Sequence, residues 1–343
     1  MISRNVKFAI DMTVGMYLPQ RVVSNEELLG DFPNFTMSSE AIYALLGVKQ
    51  RHVAAQNETC ADMMVEAAKN TLNNAGVDVS EVDCLLTCPF PPDIGAPHVG
   101  AVIQEQLGIR GSGIDMHGSC AGTTMAIQHA AALIETGVYQ TVLVLAGARL
   151  STNPSVWGNP MHRFIFADGA GGILLRRAAD GHKRLAVQTW TIPWMDYEDG
   201  SRQRYWPTIF YPLPWSQYPT EIPAGRTGFF MDNREVFFKA METMLPRYIE
   251  EFCSNAEFSL EQITAALIHQ PTRDLFIKSQ EVAGVPLAIC HQDYAYRGNL
   301  VTAELPIALH DLMQAGRLRS GDSFFSLIYG AGFTLGLLAY QVP

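Results

Sequence analysis

Cys120 stands at a position that favours nucleophilic chemistry. It follows the stretch 113–119, and it precedes a run of helical spacing over 121–136 that stops at Gly137. A thiol at the start of a helix has its thiolate favoured by the helix dipole and by unpaired backbone N–H groups. Gly118 and Gly122 on either side allow a substrate to come close. The alternative is a buried, inert thiol, because free cysteine is among the most buried residue types.

The composition excludes several classes of protein. A length of 343 residues suggests two domains or one duplicated unit, and 48% hydrophobic with 17% charged residues predicts a large buried core. The net charge of -10 argues against nucleic acid or an anionic membrane as a partner, and no stretch reaches a membrane-spanning length. The six cysteines lack the spacing of a disulfide framework, which predicts reduced thiols in a cytoplasmic protein. Cys84 and Cys88 have no second ligand pair at zinc-finger distance, so we expect no metal.

Alternating helices and strands must position Cys120. Helical periodicity covers 58–75, 99–107, 233–252, 273–283 and 303–315, and short apolar strands cover 82–88, 142–146, 263–269 and 323–329. This alternation predicts an α/β fold with mostly parallel sheets covered on both faces.

Two stretches of the chain repeat one pattern. The first stretch runs from 132–137 to 142–145, and the second runs from 311–316 to 324–327. In each stretch the pattern predicts a helix, a glycine stop, a polar turn and a buried strand. This repetition supports two related halves. We therefore predict one half over 1–178, a connection over 179–225 and a second half over 226–343.

The predicted connection is rich in aromatic residues and proline. All five tryptophans fall between Val156 and Ser216, together with four prolines between 193 and 214. Such sequence cannot form a regular helix or central strand. It is either an irregular connection that covers a core edge or dimer interface, or a lid or wall of an apolar substrate channel, and both can hold together.

Three short motifs occur together in one order along the chain. They are Gly118-Ser119-Cys120-Ala121-Gly122, Ile268-His269-Gln270-Pro271 and Arg297-Gly298-Asn299. Their order and separation resemble the thiolase-fold condensing enzymes, most closely the β-ketoacyl-acyl-carrier-protein synthase III group. Further stretches are similar to that family: Gly169-Ala170-Gly171, the stretch 231–237, and Tyr329-Gly330-Ala331-Gly332-Phe333-Thr334. The resemblance covers nearly the whole chain and implies a thiolase-like fold of two duplicated βαβαβ-type halves.

The resemblance also implies roles for the motif residues. Cys120 would take the acyl group, and His269 and Asn299 would stabilise the enolate formed when a malonyl-type thioester loses CO2. The backbone N–H groups of Cys120 and of the turn formed by Gly330, Ala331 and Gly332 would hold the acyl oxyanion. A soft thiolate suits reversible acyl transfer, and neutral donors suit a developing enolate.

Taken singly, each of these residues has a structural explanation. His269 could be a core histidine that hydrogen-bonds a carbonyl, and Asn299 could be a turn residue. For His117 we expect local packing at the helix entry, and the alternative is a position lining the pocket.

Several positions depart from the family pattern. The tryptophan and arginine that clasp the coenzyme A nucleotide correspond to Ala41 and Leu45, and a further arginine corresponds to Asp274, beside Arg273. An asparagine of the family motif is Thr272. These departures favour a specialised relative that acts on carrier-bound or bulkier acyl groups over one that primes with acetyl-coenzyme A.

The resemblance predicts a condensing enzyme. It would form an acyl-cysteine thioester and catalyse decarboxylative Claisen condensation with a malonyl- or β-ketoacyl-type thioester, in specialised fatty-acid or polyketide biosynthesis. One alternative is an acyltransferase of the same fold that serves an alcohol or amine; that role needs a general base, for which Glu304 is a candidate. The other alternative is a partner subunit of a heterodimer. We expect no cofactor beyond the pantetheine of an acyl-coenzyme A or acyl-carrier-protein substrate, and we expect a homodimer.

Overall fold

Two five-stranded sheets form the centre of the molecule. The computed structural model describes residues 6–151, 153, 160–192, 194–196, 202–204, 209–210, 230–231 and 234–343. In chain order the strands are β1 Lys7–Phe8, β2 Ile10–Tyr17, β3 Arg21–Ser24, β4 Gln50–Val53, β5 Cys84–Phe90, β6 Ser112–Asp115, β7 Thr141–Ala148, β8 Gly169–Arg177, β9 Leu185–Thr191, β10 Trp194–Asp196, β11 Arg202–Arg204, β12 Ile209–Phe210, β13 Phe230–Met231, β14 Ala265–Ile268, β15 Ser323–Gly330 and β16 Thr334–Gln341. The strand order is β2-β8-β7-β5-β6 in the first sheet and β1-β9-β16-β15-β14 in the second.

The helices follow the predicted periodic stretches closely. They are α1 Asn25–Leu29, α2 Ser39–Leu46, α3 Cys60–Ala75, α4 Val99–Leu107, α5 Gly122–Glu135, α6 Pro160–Ile165, α7 Arg234–Ala256, α8 Arg273–Ala283, α9 Tyr294–Arg297 and α10 Glu304–Gln314. Local sequence sets these bounds: α3 begins after a capping box between Thr59 and Asp62 and ends at Gly76, whose φ is 62°. Among the described residues, no helix is long and apolar enough to cross a membrane.

The two sheets enclose a shared helical layer. One hydrophobic cluster joins Ile127 and Ile134 of α5 and Leu309 of α10 to strands of both sheets. A second cluster packs α3 and α4 on the outer face of the first sheet, and a third packs α7 and α8 on the outer face of the second. The stretches predicted to repeat are thus α5 leading to β7 and α10 leading to β15.

The prediction of mostly parallel sheets is wrong. Parallel pairing occurs between β5 and β6, between β5 and β7, and between β14 and β15. The other neighbours within the two sheets, such as β7 with β8 and β15 with β16, are antiparallel. Helices cover both faces, so the antiparallel strands are as continuously apolar as parallel ones, and periodicity cannot distinguish the two.

The predicted connection over 179–225 contains part of the second sheet. Its strand β9 pairs with β16 and with β1 near the N-terminus. Trp190 on β9 packs against Tyr248 of α7, with ring centroids 5.1 Å apart. Beyond residue 192, the structure describes only β10, β11 and β12 of the aromatic segment predicted as a lid or wall. Its remaining residues, including 205–208 and 211–229, lie outside the described residues, as do Trp157 and positions 232–233 of the 231–237 stretch.

Candidate active site

Cys120 lies at the start of the inner helix α5. It is in a 3-10 turn, Ser119–Ala121, that leads directly into the helix, and Ser119 has a φ of 49°. This left-handed conformation is uncommon for a residue other than glycine, and such conformations cluster at functional sites. Among the described residues, no side chain caps this turn or α5. The backbone N–H groups around Cys120, which form the positive end of the helix dipole, therefore have no side-chain acceptor.

Cys120 is less buried than most of the other cysteines. All six thiols are free, and Cys120 is only partly buried, in contact with a small cluster that includes Phe166 and Val301. Burial raises the pKa of Cys88 to about 12 and that of Cys84 to about 11. Thiols with such pKa values stay protonated near neutral pH, so these two cysteines are inert as nucleophiles.

His269 follows β14 and contacts Cys120. Its backbone N–H donates to the Leu327 carbonyl of β15 at 2.8 Å, which extends the parallel pairing of the two strands. The side chain is 2% exposed; it hydrogen-bonds Cys120, and its Nδ1 hydrogen-bonds Glu304 Oε2. Since Nδ1 is engaged by Glu304, Nε2 is the nitrogen available to the thiol. The Tyr329 ring meets the imidazole edge to face, with centroids 4.9 Å apart.

Opposing effects set the protonation of His269. Burial lowers the pKa of this imidazole, because a charged ring loses its hydration. The carboxylate of Glu304 and the sulfur of Cys120 act the other way and raise the pKa to about 10. Glu304 and Cys120 therefore favour the protonated imidazolium over the neutral ring.

The turn after β15 lies directly against Cys120. A Cβ atom built on Gly330 would lie 2.8 Å from the backbone nitrogen of Cys120 and 2.8 Å from Ser119 Cβ. Thr334, at the start of β16, donates its hydroxyl to the Gly118 carbonyl at 3.0 Å. Gly330 is thus held beside the nucleophile, in the turn where the oxyanion donors were predicted.

Asn299 is buried in the strand-like link between α9 and α10. Its backbone N–H donates to the Ile165 carbonyl at 2.8 Å, and its carbonyl accepts from Ala167 at 3.0 Å. The side-chain Oδ1 accepts from the Val301 N–H at 2.8 Å, which orients the amide. The remaining group is Nδ2, a donor of two hydrogen bonds. Val301, like Ser119, has a positive φ, 51°.

A cavity of about 190 Å³ opens beside the nucleophile turn. Its lining includes Ser119, Thr302 and Ala331. His117 is exposed and lines this cavity, so the expectation of local packing for His117 is wrong. Residues distant in sequence, Pro89, Thr302 and Ala331 among them, form the cavity with His117, so the sequence around His117 does not reveal it.

One cluster of metal-ligand types lies outside this site. His291, Asp293 and Asp311 bring their ligand atoms within 4.8 Å of one another. The Arg297 guanidinium donates to both carboxylates of this cluster. We therefore interpret the cluster as an ion-pair network in which Arg297, and not a metal ion, provides the positive charge.

Two neighbours of His269 in the condensing site, Glu304 and Tyr329, were not predicted from the sequence. Glu304 appeared only as a candidate base for the alternative reaction, and Tyr329 only as part of a glycine-rich motif. The available signal was a single carboxylate within the apolar run 300–309. A charge in a buried run needs a partner, and the partner, His269, is distant in sequence.

Comparison with known proteins agrees with this architecture. The family model for 3-oxoacyl-[acyl-carrier-protein] synthase III matches residues 114–191, and the model of its C-terminal part matches 253–342. The β-ketoacyl-[acyl-carrier-protein] synthase III of Rickettsia bellii is 28% identical over 94% of this chain and 96% of its own. The corresponding Mycolicibacterium paratuberculosis enzyme is 27% identical over 97% and 95%.

Two solved structures are similar along their whole length. Synthase III from Thermus thermophilus superposes with a TM-score of 0.82 at 24% identity, covering 96% of this chain and 98% of that one, which establishes the fold. The priming β-ketosynthase of the R1128 polyketide pathway superposes with a TM-score of 0.81 at 25% identity, covering 99% and 98%.

The fold and the site together define a thiolase-fold condensing enzyme, which is an acyltransferase by reaction class. Within that fold, the chain is β-ketoacyl-acyl-carrier-protein synthase III-like.

Proposed function

We propose that Cys120 accepts an acyl group from a pantetheine thioester and that the acyl-enzyme is condensed with the enolate of a malonyl- or β-ketoacyl-type thioester, with loss of CO2. His269 Nε2 and Asn299 Nδ2 donate to the enolate oxygen. The backbone N–H groups of Cys120 and of the 330–332 turn hold the oxygen of the acyl group.

The contact between Cys120 and His269 carries this proposal. The thiol lies at the uncapped start of α5 and hydrogen-bonds His269, an arrangement that suits a cysteine nucleophile. The close approach of Gly330 to the Cys120 nitrogen supports the oxyanion role.

A basic and aromatic cluster near both motifs suits a pantetheine carrier. Lys49 Nζ lies 4.7 Å from the Tyr43 ring centroid and 5.7 Å from that of Tyr296, and the Arg273 guanidinium lies 5.9 Å from Tyr43. In sequence, Arg273 closely follows His269, and Tyr296 shortly precedes the Asn299 motif. Positive charge here, in a chain of net charge -10, supports recognition of phosphate groups on coenzyme A or of an acidic carrier protein.

The departures from the family pattern support a specialised substrate. Ala41, Leu45 and Asp274 are exposed, and they present neither a stacking indole nor a guanidinium at those positions. The similarity to a polyketide priming ketosynthase points the same way. We therefore place the reaction in specialised fatty-acid or polyketide biosynthesis.

We also propose that the protein is a homodimer in the cytoplasm and that each chain consists of two halves. The short edge strand β6 leaves one side without a strand partner among the described residues, and Ile114 on it is 46% exposed, which suits pairing with a second copy. Six free thiols fit a reducing compartment. The two sheets support halves over 1–178 and 226–343, with β1 of the first half and β9 of the connection joining the second sheet.

Intact mass spectrometry tests the acyl-enzyme. The protein is incubated with a panel of acyl-coenzyme A and acyl-carrier thioesters, and we expect an adduct that Cys120→Ala abolishes. Cys253→Ala is the matched control, because Cys253 is also a partly buried free thiol, and it should keep the adduct.

A chase then separates the reactions. Malonyl-carrier should release a β-keto product, and an alcohol or amine acceptor should not discharge the enzyme. If no thioester acylates the wild-type protein, the proposal is wrong, and a partner-subunit role becomes the better explanation.

A further inference from the structure

Glu304 is a buried carboxylate at the first position of the inner helix α10. It is 4% exposed, and both of its oxygens are engaged. Oε2 hydrogen-bonds His269 Nδ1, and Oε1 accepts from the Gln270 backbone N–H at 3.0 Å. Among the described residues, Glu304 forms its ion pair with His269. The carboxylate is thus fixed on one nitrogen of the imidazole that contacts Cys120.

The position of Glu304 decides where His269 carries hydrogen. A carboxylate can only accept, so Nδ1 must donate to it. A neutral histidine with its hydrogen on Nδ1 has a bare Nε2, which cannot donate to an enolate. Only the imidazolium donates from both nitrogens. Stabilisation of an enolate by His269 therefore requires the charged ring.

We propose that Glu304 is a positioning residue that keeps His269 as an imidazolium through the whole catalytic cycle. Nε2 then donates a charged hydrogen bond first to the Cys120 thiolate and later to the enolate oxygen. This inference rests on the proposed function and adds to it the charge of the donor and the residue that maintains it.

The reaction balances without any proton transfer at His269. The Cys120 thiolate attacks the donor carbonyl, the C–S bond to pantetheine breaks, and solvent protonates the departing thiolate. The bond between the malonyl carboxylate and its α-carbon then breaks, CO2 leaves, and the electron pair remains as an enolate held by His269 and Asn299. The enolate carbon bonds to the acyl carbon, and the C–S bond to Cys120 breaks to return the thiolate.

A permanent imidazolium also selects the acceptor. A hydroxyl or amine must lose a proton as it attacks, and it needs a base with a free lone pair. An enolate made by decarboxylation carries no proton to remove. Glu304 therefore favours a carbon acceptor, although a buried carboxylate beside a histidine would by itself also suit a general-base pair.

The surroundings of His269 support a charge that persists across neutral pH. Among the described residues, the titratable groups that face it are Cys120, Glu304 and Tyr329. Burial lowers the pKa of His269, and Glu304 with Cys120 raises it to about 10. Acylation turns the Cys120 sulfur into a neutral thioester, so during condensation Glu304 alone opposes the effect of burial. Condensation should therefore fall as pH rises through the pKa that Glu304 sets for the ring.

The substitution Glu304→Gln tests the role of the charge. The amide keeps the shape and can still accept from Nδ1, but the burial of His269 is then opposed by Cys120 alone and lowers its pKa. We expect condensation near neutral pH to fall by about 10²–10³-fold, as for loss of one oxyanion donor, and to recover at acidic pH. Glu58→Gln is the control, because Glu58 also accepts from a side chain, Tyr17, and from a backbone N–H, that of Ala55, away from the site.

Two measurements make the outcome decisive. Imidazole ¹⁵N NMR of the wild-type protein, with the His269 signals assigned through His269→Ala, should show both nitrogens protonated at neutral pH. A bare Nε2 in that spectrum, or an unchanged pH profile in Glu304→Gln, would overturn the inference. Acyl-adduct formation by wild type is scored separately, so a protein that forms no adduct refutes the proposed function instead.

Discussion

Gly330→Ala tests whether the turn after β15 positions the nucleophile. The new Cβ would lie 2.8 Å from three atoms: the Cys120 nitrogen, Ser119 Cβ and Thr334 Oγ1. Ordinary contact begins at 3.4 Å, so the backbone that carries Cys120 must retreat by about 0.6 Å or the β15–β16 turn must move by as much.

This displacement should affect both stability and catalysis. Overpacking of this kind costs about 1–3 kcal/mol of unfolding free energy. A misplacement of about 1 Å at a reacting group can cost about 10²-fold in rate, so we expect acylation of Cys120 to slow by about 10–100-fold. The assay is the rate of adduct formation by intact mass under single-turnover conditions, with a thermal unfolding midpoint for each protein.

Gly95→Ala is the control for this substitution. A Cβ at Gly95 meets nothing within 4 Å, so this variant should match wild type in both assays. If folded Gly330→Ala acylates at the wild-type rate, the turn does not position Cys120, and the oxyanion role of the 330–332 backbone must be abandoned.

Three further substitutions separate catalysis, stability and assembly. Asn299→Asp keeps the acceptor for the Val301 N–H but removes the Nδ2 donor, so condensation should fall by about 10²-fold while the acyl adduct still forms; equal product rates would exclude Asn299 from the enolate site. Arg51 is 1% exposed and donates to two backbone carbonyls and to Asn25 Oδ1, so Arg51→Met should lower the unfolding free energy in guanidinium by about 3 kcal/mol or more, and an unchanged midpoint would contradict this accounting. Ile114→Lys, on the edge strand β6, should convert a dimer to a monomer in light scattering, whereas Val138→Lys, at an exposed turn, should not.

Much of the site could be predicted from local sequence. The helical run after Cys120 predicted the position of its thiol at a helix start, and the His269 motif followed a short apolar strand, as the structure has it. Caps and periodic spacing are local, so they survive folding with little change. The catalytic roles of these residues stay predictions until the variants are measured.

Other features depended on pairing between distant segments. Strand direction could not be read from sequence, because a strand covered on both faces is apolar in either direction. The partner of Glu304 could not be predicted either, because a carboxylate in an apolar run indicates that a partner exists but not which residue it is.

By itself, the sequence determined the α/β character, the helix bounds and the chemistry-bearing residue types, because these follow from short-range spacing and backbone preference. Only the tertiary structure decided that the first turn of α10 would place a carboxylate on the imidazole beside Cys120, and that the turn after β15 would lie against the Cys120 nitrogen. Both are long-range contacts created when α5 and α10 pack between the two sheets, and they set the charge and geometry on which the reaction depends.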